Sequence, residues 1–384
     1  MALTPIRRIV TGVDEQGRSK VVWDGVSPGE HESEVPNKGH IDFWVWRETP
    51  LPLAGDNEDP ATWDDEFPGP VGGGHLRVVN WLARASDPSE VPPRIPLHDP
   101  EVAHGGRSWD RGGGNNFDRT AMHKTQSVDY GILLAGERTL VLDDCELMIE
   151  PGDIVVQVGA WHLWDSARVG CLMAFDMISA DFVDGSAGTA QGNDPVMQLK
   201  ADHELPPNVK PQRRIVTIDR EGGRSSLVAD GPSPDVRTDP ARPGFALQRM
   251  WVVDGAPARI VFETLHLPHV LEPPPSGSVL NVVTFPPDSA WQGGVGAAEV
   301  AAWFESVGSP GASSYAADAP HPYMQRTRTV DFCIVLEGEL VLVLDTEEVA
   351  VNTGDIVVQR GTNHAWSNRS ETPAVVAIAS HDAR

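Results

Sequence analysis

Short apolar runs, hydrophobic at every second residue, recur along this chain between glycine, proline and aspartate. Alternation of period two turns one face of an extended segment toward a core and the other toward solvent, so it predicts strands. The clearest lie at 128–135, 139–142, 145–149, 154–158 and 171–177. A second series follows at 330–336, 340–344, 348–351, 356–359 and 374–379. A helical period is readable at Ala297–Val307, AAEVAAWFESV, closed by Gly308-Ser309-Pro310. With 37 glycines and 33 prolines the connections are many and long. The pattern predicts an all-β chain, a sandwich or barrel with long loops and few short helices.

The same pattern is written twice. RRIVTGVDEQGRSKVVWDGVSP at 7–28 returns as RRIVTIDREGGRSSLVADGPSP at 213–234. VDYGILLAGERTLVLDD, followed by PGDIVVQVGAWHLWDS, returns as VDFCIVLEGELVLVLDT, followed by TGDIVVQRGTNHAWSN. A repeat of this length is a duplicated domain rather than a solenoid unit. The offset is 206 at Arg7/Arg213 and 202 at Met122/Met324. We expect domains at 1–205 and 206–384, each large enough for its own core. Residues 54–118, rich in Gly, Pro, Asp and Asn, read as long loops over the first domain, and 183–211 has the composition of a linker.

Charge and cysteine content act by exclusion. A net charge of −25 with no basic stripe argues against a nucleic-acid partner. Cys145, Cys171 and Cys333 are too few and too scattered for a disulfide framework or a zinc knuckle. The N-terminal MALTPIRRIV lacks the apolar core of a signal peptide, and no stretch is long enough to span a bilayer. The expectation is a soluble cytoplasmic protein without membrane partners. No P-loop or Gly-x-Ser-x-Gly elbow is present.

The chemistry-bearing residues fall at matched places. His123, Thr125, Ser127 and Asp129 share one face of a strand, and Gly136 follows. Further on come Gly152-Asp153, Gln157, Gly159 and His162. These two motifs resemble those of the cupin superfamily. The second is strong, because GDIVVQ-x-G-x2-H occurs in both copies; the first is degenerate. The resemblance implies two tandem double-stranded β-helix (jelly-roll) barrels, a bicupin. In many family members three histidines and a glutamate bind a divalent metal. Here His123 and His162 match histidines, Thr125 replaces the second histidine, and Asp129 replaces the glutamate. The resemblance therefore implies His123, Asp129 and His162 as metal ligands and catalytic residues in the first barrel, with iron, manganese, zinc or nickel as the metal. A pair formed by His123 and Asp129 without metal is the alternative.

In the second copy the corresponding residues are Gln325, Thr327, Asp331 and His364, so one histidine is left and no metal is expected. Substrate contacts are expected from Thr125, Gln157, Trp161 and Trp164, and in the second copy from Gln325, Asp331, Gln359, His364 and Trp366. Twelve tryptophans, among them Trp44, Trp46 and Trp251, either line pockets for a planar ligand or fill cores. The resemblance implies an enzyme of oxygenase or lyase/isomerase type acting on a small organic, aromatic or carboxylic molecule. A metal-free small-molecule-binding protein is the competing class. Family barrels associate through their strands, which implies an internal pseudo-dimer and admits a homodimer.

Overall fold

The computed structural model describes residues 3–53, 59–64, 66–182, 205 and 209–384; the linker expected at 183–211 lies mostly outside them. The chain is all-β and of jelly-roll type, with one α-helix, Ala297–Ser306, among the described residues. That helix sits where the 3.6 period placed it and buries Val300, Trp303 and Phe304.

Two large sheets dominate. One runs, in spatial order, through Arg224–Pro232, Arg213–Arg220, Ile154–Val158, Ser127–Val141, Leu163–Asp181, Gly74–Trp81, Gly39–Trp46 and Gly29–Glu32. The other runs through Val236–Thr238, Ala246–Val253, Ser278–Phe285, Ala374–Asp382, Thr329–Glu337, Ile356–Arg360, Arg7–Val13 and Ser19–Val26. Each sheet therefore ends in a hairpin from the other copy. Arg7–Val13 pairs in parallel with Ile356–Arg360, and Arg213–Arg220 with Ile154–Val158.

Conserved positions of the repeat hold both exchanges in the same way. Arg7 donates to Asp355 at 3.0 Å, and Arg213 to Asp153 at 2.9 Å. The backbone N–H of Ser19 donates to Asp345, and that of Ser225 to Asp143, each at 2.8 Å. The aspartates of the two Gly-Asp turns thus hold the guanidinium of the incoming hairpin. Ile9 is fully buried in the core of the second copy with Val335, Val357 and Val376.

A core shared by both copies lies between the sheets and contains Trp44, Trp46 and Trp251. Trp46 packs 5.6 Å from Phe332 and 4.8 Å from His381, ring centre to ring centre. These three indoles fill the core. Polar ties cross the same region: Tyr130 Oη to Ser278 Oγ at 2.8 Å, and His381 Nε2 to Asp176 Oδ2 at 2.8 Å.

Two local expectations are revised. Within 54–118, read as loops, Gly74–Trp81 is a strand between Gly39–Trp46 and Leu163–Asp181. Its polar interruption is satisfied internally, because Arg77 donates to Asp42 at 2.9 and 3.2 Å. Gly136, which lies between the strands expected at 128–135 and 139–142, is a kink inside one strand, Ser127–Val141. It has φ +79°, and a Cβ there would sit 1.8 Å from the carbonyl oxygen of Gly170. Gly136→Ala combines a left-handed backbone with a backbone clash. It is expected to cost roughly 2–4 kcal/mol, read as a shift of the urea midpoint at unchanged slope.

Candidate functional site

The first copy encloses a cavity of about 300 Å³, walled by His40, Phe67, Arg77, Val79, Trp81, Thr120, His123, Thr125, Asp129, Arg138, Gln157, His162, Trp164, Phe175 and Met177. His123 and His162 face each other across an antiparallel bridge: His123 N–H donates to His162 O at 2.8 Å and His162 N–H to His123 O at 2.9 Å. The bridge brings the ring centres to 4.3 Å at an interplanar angle of 54°.

Both rings are held in one tautomer. His123 Nδ1 lies 2.7 Å from the carbonyl of Ala121, and His162 Nδ1 lies 2.8 Å from that of Ala160. A carbonyl can only accept, so Nδ1 carries the proton and Nε2 the lone pair. Burial holds the His162 imidazole well below the usual histidine range. The His123 ring and the Arg138 charge act in the same direction, and the Ala160 carbonyl opposes them. His162 is therefore a neutral base or ligand at neutral pH.

Asp129 and Gln157 are partners in register on adjacent strands. Burial pushes the Asp129 carboxyl up to about 7; a hydrogen bond from Ser127 opposes this and Asp176 adds to it. Oδ1 of Asp129 and both amide atoms of Gln157 are buried without a protein hydrogen-bond partner. Groups left this way in a cavity wall favour a ligand that can hydrogen-bond. Thr125 Oγ1 lies 2.8 Å from Ser127 Oγ, so Thr125 is tied to the start of the strand Ser127–Val141.

The structure thus brings His123, Thr125, Asp129, Gln157, His162 and Trp164 to one cavity. Trp161 is not in its wall: it is buried in the shared core, with Arg111 4.5 Å and Lys124 5.1 Å from its ring centre. Residue 161 lies next to the bridge residue 162, and side chains alternate sides. In the second copy Gln325, Asp331, His364 and Trp366 do share a smaller cavity of about 40 Å³. Gln359 is not in that wall, because its amide donates to the carbonyl of Thr362 at 3.1 Å and to the Thr362 hydroxyl. His364 repeats the tautomer of His162, with Nδ1 2.9 Å from Thr362 O. Its Nε2 faces the Gln325 amide at 3.4 Å, so the glutamine that stands for His123 occupies the lone pair. Burial pushes the Asp331 carboxyl up and the His364 imidazole down, each opposed by the other.

Sequence reasoning missed Trp81, Phe175 and Arg138 in the wall, and the pair His31 and His40. Arg138 alone carried a signal, because the repeat places Leu340 opposite it. Among the described residues, the three-donor set whose ligand atoms lie within 4.8 Å of one another is His31, His40 and Asp42. Asp42 in that set is already held by Arg77, and His31 Nε2 lies 3.5 Å from it. His123 and His162 fit a divalent ion as a pair of imidazoles with lone pairs on Nε2. The carboxyl of Asp129 stands outside that tight spacing.

Comparison with known proteins agrees with the geometry. The family model described as "Cupin domain" matches residues 313–380, the strands and bridge of the second copy. The chain carries a cupin domain in its second copy. Phomopsin biosynthesis cluster protein C' of Diaporthe leptostromiformis is 54% identical over 50 residues, 13% of this chain and 26% of that protein. The cupin-domain-containing oxidoreductase fogC of Aspergillus ruber is 29% identical over 165 residues, 42% of this chain and 64% of that protein. The chain spans about a quarter of the length of the first curated relatives it matches. A solved glyoxylate-induced protein of Pseudomonas aeruginosa aligns over 81% of this chain and 75% of its own, at 11% identity and a TM-score of 0.35.

Proposed function

We propose that this cupin is a bicupin enzyme whose first copy binds a small organic molecule and performs oxygenase or lyase/isomerase chemistry on it, with a divalent metal held by His123 and His162. The observation that carries this is the contrast between the copies. The cavity of about 300 Å³ keeps both bridge imidazoles, His123 and His162, whereas the one of about 40 Å³ has Gln325 bonded to its single histidine. The name of the Aspergillus ruber relative, an oxidoreductase, supports the reaction class. We take 1–205 and 206–384 as the repeat units that build the two barrels.

A metal bound there would supply Lewis acidity at the mouth of the cavity. The chain's own residues do the rest. Ala121 and Ala160 fix the two ring orientations through Nδ1. Gln157 orients the ligand by hydrogen bonds, and Trp81, Trp164 and Phe175 keep water from the apolar part. Asp129, nearly balanced between its two protonation states at neutral pH, can give or take a proton within the cavity. The same carboxyl favours a second reading, a metal-free site working by acid–base chemistry or binding alone.

Elemental analysis of purified protein decides between them. About one metal per chain is expected, lost in His162→Ala and kept in His364→Ala. Loss in His40→Ala with retention in His162→Ala would move the metal to the His31, His40 and Asp42 cluster. No metal in any sample would leave the metal-free reading.

A further inference from the structure

We propose that the first cavity selects an organic carboxylate and holds its charged group through Arg138, an inference that rests on the reading of this cavity as a small-molecule site. Arg138 is 2% exposed and lies in the cavity wall. Its guanidinium carbon is 4.7 Å from the centre of the Trp81 ring and 5.0 Å from that of Trp164. Its Nε and Nη1 have no protein hydrogen-bond partner, and no carboxylate forms an ion pair with it among the described residues. Its side chain is hydrogen-bonded to the Cys171 thiol, which burial keeps protonated, and Lys38 and the His162 ring are its other charged or titratable neighbours. A guanidinium buried without an anion is costly, and its planar fork of N–H donors matches a carboxylate.

The duplicate copy shows that the fold does not require this charge. Leu340 occupies the same place in the repeat, also 2% exposed, and the same strand forms. The wall of the second cavity, among the described residues, contains neither lysine nor arginine. Arg77, the other cation of the first wall, is matched by Asp42. Lys38 Nζ sits 3.8 Å from the Trp81 ring centre and adds positive potential on that side. A chain with net charge −25 thus buries a cation against the wall of one cavity. Phe67, Trp81, Trp164 and Phe175 supply apolar surface, which favours a carboxylate on a flat unsaturated body over an inorganic anion.

Benzoate and benzamide share shape and differ in charge. Each is titrated into the full chain, with calorimetry and tryptophan fluorescence as readouts. Benzoate is expected to bind at least roughly ten-fold more tightly than benzamide. Arg138→Gln and Arg138→Leu, the latter copying the second copy, should erase that ratio with metal content and melting temperature kept or raised. Arg138→Lys should keep part of it. Equal affinity for the two probes, no benzoate binding by the wild-type chain, or a ratio that survives Arg138→Leu overturns the proposal. Metal content is read separately, so charge-selective binding in metal-free protein upholds Arg138 and counts only against the metal reading.

Discussion

A chain of residues 206–384 alone is expected to fail to fold, although it contains one whole copy of the repeat. Its strand Ile356–Arg360 would lose the parallel partner Arg7–Val13, and its own hairpin 213–232 would have no Ile154–Val158 to join. The loss includes buried Ile9 and Val10, the Arg7–Asp355 pair, and the bond from Arg360 N–H to Thr11 Oγ1 at 3.0 Å. Two buried aliphatic side chains at roughly 2 kcal/mol each, with the ladder bonds, approach the whole stability of an ordinary domain. An unpaired edge in a hydrophobic sheet also invites aggregation. A milder test keeps the full chain. Ile9→Ala should cost about 2–4 kcal/mol. The rise in amide exchange should appear in Thr329–Glu337 and Ile356–Arg360, because Ile9 packs there. A soluble, cooperatively melting 206–384 chain, or faster exchange confined to residues 29–182, would defeat the exchange of hairpins as a stabilising device.

How much of this was readable from the residues follows from what each feature depends on. The strands Ile154–Val158 and Ile356–Arg360 came directly from alternation and flanking turns, since their pattern is local. The first cavity was readable as well, because a strand face of period two and a strong second motif place His123, Thr125, Asp129, Gln157 and His162 together. The exchange of hairpins was not readable. RRIVT begins both copies, so nothing local says which barrel each hairpin completes; only the tertiary fit of Arg7 to Asp355 and Arg213 to Asp153 decides it. Gly74–Trp81 was hidden because His75 and Arg77 break the apolar run, and the partner that neutralises Arg77 lies 35 residues away. Trp161 was misplaced by proximity in sequence, where strand alternation turned it into the core.

The copies diverge at their cavities. Asp129 and Asp331 are both buried, and Gln157 and Gln359 both stand on the inner strand, so the ancestral scaffold survives in each. Among the differences around the two cavities are His123 against Gln325, Arg138 against Leu340, Gly131 against Cys333 and Met177 against Ser380. The first occupies the histidine lone pair and the second removes the cation. Neither change alters the sheet that carries the site.

In metal-free protein, Asp129→Asn is expected to stabilise the fold, and the gain should grow with pH. The carboxyl of Asp129 is pushed up to about 7 in the folded chain, mainly by burial, against roughly 4 in an unfolded one. The neutral form suits the cavity, so its stabilising contribution is fully present below about pH 4. As pH rises from about 4 toward 7 the unfolded chain ionises while the folded chain holds the proton, and that contribution is lost. Above about 7 both states are ionised, the folded one at the cost of a buried charge, and the loss levels off. Asparagine keeps the shape and never ionises. The stability difference between Asp129→Asn and wild type should therefore be small at pH 4 and reach roughly 2–4 kcal/mol in favour of the variant at pH 8. Urea melts of chelator-treated protein at pH 4, 6 and 8 measure it. A variant less stable than wild type at pH 8 would mean that Asp129 is ionised and partnered in the fold, which would return it to the ligand set. The same variant assayed with metal then separates the roles: unchanged metal content with lost turnover marks Asp129 as the proton carrier, and lost metal marks it as a ligand.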